Sequence, residues 1–184
     1  MGMMKLKHLG AAGALALLLT SPAYAVGPTQ GTLGSTSQGV INISASVASK
    51  VQISNLQDVT FTTVDPATAA SNAQNVCVFS NTATKGYNIK ATGNGASSAF
   101  TLANSSLTVP YTVEWANTTA QTSGTSLTTN TALTGQTSLA TNPTCNSGAN
   151  PTASLIVKIS SADLLSMQSN TSYTGTLTLL VGPE

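Results

Sequence analysis

From Gly39 to Val47 the chain reads GVINISASV, with Ile41, Ile43, Ala45 and Val47 on one parity and Asn42, Ser44 and Ser46 on the other. That is the period of a β-strand with one apolar face. The parity resumes at Val51 and Ile53 after Ser49 and Lys50, and DVTFTTV predicts a further strand around Val59, Phe61 and Thr63. DPATAASNAQ then reads as a loop. In NVCVFS, Cys77 and Phe79 lie on one side and Val76 and Val78 on the other, as expected of a central strand covered on both faces. KGYNIKATGNG alternates Tyr87, Ile89 and Ala91 with polar neighbours and closes on a Gly-Asn-Gly turn. AFTLAN precedes LTVPYTVEWA, where Val109, Tyr111, Val113 and Trp115 share a parity and Pro110 marks an edge strand or a bulge.

Residues 117–150 are almost entirely Thr, Ser, Asn, Gly and Ala, with apolar points at Leu127 and Leu133. They predict a long loop holding one or two weak strands. ASLIVKIS follows with Leu155, Val157 and Ile159 inward, SADLLSMQ fits a single helical turn, and YTGTLTLLV alternates Tyr173, Leu177, Leu179 and Val181. No helix-period segment of useful length survives beyond the first 25 residues, and no internal repeat is present. Seven or eight short strands separated by turn residues predict an all-β sandwich.

The amino end changes the accounting. Lys5 and Lys7 precede a short apolar run from Leu9 to Leu19, and SPAYA puts Ala23 and Ala25 in a small-x-small pattern, so residues 1–25 are expected to be a secretory signal peptide. Residues 26–40, rich in Gly, Ser and Thr, are expected to form a flexible leader, and residues 41–184 a single domain. The expected mature chain holds no apolar stretch near the roughly 20 residues of a transmembrane helix. In an oxidising compartment its two cysteines, Cys77 and Cys145, are expected to pair. Closing a loop of about 69 residues contributes about 4 kcal/mol by the chain-entropy estimate.

Charge and side-chain chemistry then remove whole classes of function. With the signal gone, Lys50, Lys85, Lys90 and Lys158 face Asp58, Asp65, Glu114, Asp163 and Glu184, and the chain has no arginine. A basic phosphate-binding surface is missing, so nucleic acid is not an expected partner. The single histidine, His8, leaves with the signal; no general base, paired carboxylates or metal-ligand cluster is legible, and neither catalysis nor a cofactor or metal site is expected. Trp115 beside Glu114 has the ingredients of a sugar-stacking site, but neighbours in a strand point to opposite faces, so Trp115 is expected in the core.

GVINISASV itself leaves two options: the first strand of its own sandwich, or a strand given to another molecule. Burying Ile41, Ile43 and Val47 yields roughly 5–8 kcal/mol, while ordering seven backbone residues costs about 7–14 kcal/mol. Side chains alone do not suffice, and the strand needs a hydrogen-bonded ladder. The order of pieces, from SQGVINISASVASKVQISNLQDVTF through a Cys-bearing strand to a terminal SADLLSMQSNTSYTGTLTLLVGPE, resembles the spore-coat-U-like and fimbrial subunits of archaic chaperone-usher pili. The resemblance implies an immunoglobulin-like sandwich lacking its last strand, completed by a donor strand. It implies Ile41, Ile43, Ala45 and Val47 as donor residues and Leu177, Leu179 and Val181 on the strand bordering the groove. The implied partners are neighbouring subunits of the same fibre, a periplasmic chaperone and an outer-membrane usher, and the implied destination is the cell surface, in adhesion or biofilm. The alternative is a secreted, self-contained β-sandwich that binds or forms matrix.

Overall fold

A computed structural model describes residues 27–145 and 151–184; the expected signal peptide lies outside the described residues. The chain divides into two compact units between Ser46 and Val47. In the first unit, the described residues from Gly27 onward are exposed. Thr29 and Val40 exchange two backbone hydrogen bonds of 2.9 Å, closing the leader into one loop. The strand expected over Ile41–Val47 is not formed: no residue from 41 to 50 is in a strand. Alternation makes such a segment competent for a sheet, but a strand exists only where a neighbour supplies its ladder.

The second unit is nearly all β and its strand pairs are antiparallel. Its strands are β1 (Val51–Ser54), β2 (Ala70–Ser80), β3 (Gly86–Gly93), β4 (Thr101–Asn104), β5 (Leu107–Pro110), β6 (Thr112–Ala116), β7 (Thr125–Ser126), β8 (Ala132–Thr137), β9 (Ala153–Ile159) and β10 (Leu177–Pro183). One sheet has the order β1-β2-β9-β6-β7, a second the order β10-β3-β8, and β4 and β5 form a hairpin. The apolar faces of the two larger sheets meet in one core, which makes the domain a β-sandwich.

The strand count exceeds the expected seven or eight for local reasons. Pro110 lacks the amide to continue a ladder, so LTVPYTVEWA splits at Tyr111 into β5, in the hairpin, and β6, beside β9. Val109, Tyr111, Val113 and Trp115 nevertheless keep one parity and are all buried. The expected loop DPATAASNAQ is strand from Ala70 on, because β9 pairs with Ala70–Val76 and recruits residues of weak β-propensity. The weak pattern around Leu127 and Leu133 marks β7 and β8.

β2 and β9 are the central strands; Val76, Cys77, Val78 and Ile156 are fully buried. Trp115 is in the core, its indole N–H donating to Tyr87 Oη (3.1 Å), whose hydroxyl in turn donates to Asn117 Oδ1 (3.1 Å). The two rings meet edge to face at 6.4 Å. Burial pushes the Tyr87 phenol up to about 12, with the Trp115 hydrogen bond acting in the opposite direction. Tyr87→Phe is expected to cost about 1–3 kcal/mol, because it strands a buried indole N–H; a urea unfolding midpoint compared with the parent protein checks it. After β9, Ser160 Oγ accepts the Asp163 N–H (3.1 Å) and starts the single turn α1 (Ser161–Leu165), which buries Leu164.

Candidate functional site: an open seam between two sheet edges

Among the described residues β10 pairs on one edge only, with β3. Asn94 N–H donates to Thr176 O (3.1 Å) and Glu184 N–H donates to Gly86 O (3.1 Å), so the even-numbered residues of this strand turn their backbone groups toward β3. Antiparallel ladders alternate, and the N–H and C=O groups of Leu177, Leu179 and Val181 therefore face the opposite edge. No other strand pairs with that edge among the described residues. The side chains of these three residues pack against the core, whereas Thr178 and Leu180 point outward.

The facing wall is the segment that leaves β1. Asn55 adopts a left-handed conformation (φ 61°), which ends β1 and turns the chain away from β2. There the Gln74 side chain replaces the ladder: its Oε1 accepts the Gln57 N–H (2.8 Å) and its Nε2 donates to Gln57 O (3.0 Å). The strand expected around Val59, Phe61 and Thr63 is consequently not formed. Val59 and Phe61 still turn inward and Thr60 and Thr62 outward. The alternation fails at Thr63, whose φ of 51° is strained for a β-branched residue, and Val64 turns inward in its place. No hydrogen bond among the described residues engages the backbone of residues 58–64.

Between this segment and residues 171–177, which lead into β10, lies a cleft of about 650 Å³; of the three inward β10 residues only Leu177 lines it, and β1 itself comes close to β10. Leu155, Val157, Ile159 and Leu164 floor it, and Leu102 and Met167 line it further. Asp58 is its one charged lining residue among the described residues. Residues 172–174 are fixed at the end of the cleft by β4, through paired backbone bonds between Ala103 and Thr174 (2.8 and 3.0 Å) and Asn104 Nδ2–H to Ser172 O (2.8 Å). Gly175 passes so near Thr101 that a Cβ would stand 2.7 Å from its carbonyl oxygen, which is why a side chain is excluded there.

The residues implied as donors are exposed: Ile41, Ile43 and Val47 by 73, 87 and 86%, and Ala45 as well. The chain just after them is firmly held: Asn81 Oδ1 accepts the Lys50 N–H (2.6 Å) and Asn81 Nδ2 donates to Ala48 O (3.0 Å). Cys77 and Cys145 form a disulfide with a Cα separation of 5.9 Å, which ties residues 138–145 to β2 as a strap and is buried with Ala140 in one cluster against which Phe79 packs. Glu114 lies away from the cleft on the opposite parity to Trp115; it pairs with Lys158 (2.8 Å), which holds its carboxyl below the usual value of 4.5.

Two features escaped sequence reasoning. Gln74 sits in a stretch with the composition of a loop, and nothing local announces that its amide clamps Gln57. The role of residues 55–64 as a wall was equally hidden, since their pattern is that of an ordinary strand. Comparison with protein-family models and with characterised proteins finds no match to this chain. No helix among the described residues is long and apolar enough to cross a membrane, and no cluster of three or more His, Cys, Asp or Glu among them could hold a metal ion.

Proposed function

We propose that the chain is a structural subunit of an extracellular fibre, assembled by lending residues 41–47 of one subunit to the cleft of the next. The observation that carries the reading is a complementarity within one sequence. An uncharged segment exposes alternating aliphatic side chains, and the domain has an apolar cleft bordered on both sides by backbone without a ladder. β-Augmentation takes its affinity from main-chain bonds and its register from alternate side chains, and both are on offer here. In this reading the sandwich is immunoglobulin-like, with Leu177, Leu179 and Val181 pairing with the donor. A chaperone covers the cleft during export, and adhesion or biofilm is the fibre's use. A self-contained binding or matrix protein would use residues 41–47 as its own first strand, from which their exposure departs.

The protein purified after co-expression with a periplasmic chaperone and an outer-membrane usher is expected to run as a ladder of multimers in mild detergent and as a monomer after boiling. Size-exclusion chromatography and unheated electrophoresis read this directly. Monomer alone under those conditions overturns the fibre.

A further inference from the structure

We infer that residues 58–62 are a latent strand, held out of the sheets while the cleft is open and ordered by the occupant itself. This rests on the fibre reading, and the occupant it commits to is residues 41–47 of a second copy of this chain.

Four observations point the same way. The segment has strand alternation in its sequence and in its burial, with Val59 and Phe61 inward and Thr60 and Thr62 outward, yet it has no ladder. Its backbone makes no hydrogen bond among the described residues, although half-buried amides ordinarily find partners. Left-handed residues bracket it, Asn55 at 61° and Thr63 at 51°, and the second is a β-branched residue in a conformation it disfavours. Gln74 grips Gln57 at both its N–H and its C=O, which holds the root of the segment beside β2 after the β1 ladder has ended at Asn55.

A strand seated along residues 173–177, the wall that runs into β10, leaves its second edge directed away from that wall, because a strand bonds to both sides in alternation. Residues 58–62 form the opposite wall of the same cleft, and their unpaired backbone is what that second edge requires. The Gln74 clamp then acts as a latch on the open form. A side-chain amide reproduces one rung of a ladder but cannot extend it, so the segment stays close to the core without being committed to β2. Insertion supplies a partner along the whole segment, which allows Thr63 to leave its strained conformation.

The test uses the mature chain carrying Ile43→Asp, so that its own segment does not compete, and a synthetic peptide of residues 39–50. Amide hydrogen exchange is followed with and without peptide. Slowing of exchange by about tenfold or more is expected both at Tyr173, Gly175 and Leu177, on the wall that enters β10, and at residues 58–62. Protection of that wall without protection of 58–62 overturns the latent strand and leaves the fibre standing. Protection at neither overturns both. In the same background, Gln74→Ala is expected to speed peptide association about fivefold by releasing the latch; an unchanged or slower rate overturns the latch.

Discussion

Ile43→Asp is expected to abolish multimers while leaving a folded monomer, with an affinity between subunits reduced at least about a thousandfold. In the single chain Ile43 is 87% exposed, and a substitution at such a site changes stability by no more than about 0.5 kcal/mol. In an apolar cleft the same change forfeits the roughly 1.5–3 kcal/mol of burying an isoleucine and adds several kcal/mol for desolvating a carboxylate. Asp58, the cleft's charged residue, has the same sign and adds repulsion. Ser44→Asp is the control, since it places a charge on the other parity of the same segment, and it is expected to leave assembly largely intact. Sedimentation velocity measures assembly and a thermal scan measures folding. Equal loss of multimers in both variants removes the role of alternation. Unfolding of the isolated Ile43→Asp monomer assigns residue 43 to its own domain's core and ends the fibre reading.

The sandwich was legible wherever alternation coincided with burial. Tyr87, Ile89 and Ala91 in β3, the parity of Val109 to Trp115 across two strands, and Leu177, Leu179 and Val181 in β10 lie inward as their spacing requires. Periodicity reports which side chains share a face, a property local to the chain. It does not report whether a partner edge exists, and that is where sequence and structure part. GVINISASV and VTFTT carry the same pattern as β3, but neither finds a ladder, because pairing is a tertiary matter of what lies alongside. Ala70–Gln74 shows the converse: residues with little β-propensity become strand because β9 runs beside them. The cleft was thus half visible. Its β10 border could be read from the terminal alternation, whereas the wall at 55–64 depends on the left-handed Asn55 and on an amide 17 residues distant in the chain.

Removing the disulfide as Cys77→Ser with Cys145→Ser is expected to destabilise the domain by about 4 kcal/mol, the loop-closure entropy of the 68-residue separation. Domains of this size are stable by only about 5–15 kcal/mol in total, and one with an open apolar cleft has part of its core still to cover. The loss should therefore fall heavily on the free chain. Secondary contacts soften it: Ser138 Oγ donates to Val78 O, and Thr152 Oγ1 accepts the Val78 N–H (3.0 Å), so the β2 edge near Cys77 keeps partners when the covalent link is gone. A ligand that binds only the folded form raises stability by RT ln(1 + [L]/Kd), about 4 kcal/mol at a thousandfold excess over Kd. Saturating the double variant with the 39–50 peptide is accordingly expected to restore the urea midpoint to near that of the peptide-free parent. A variant that loses less than about 1 kcal/mol would mean that the unfolded chain is already compact around residues 77–145. A variant destabilised as expected but unmoved by saturating peptide would mean that cleft occupancy and folding are not linked. The two results separate the contribution of the disulfide from that of the bound peptide, because the disulfide acts on the unfolded ensemble and the peptide on the native one.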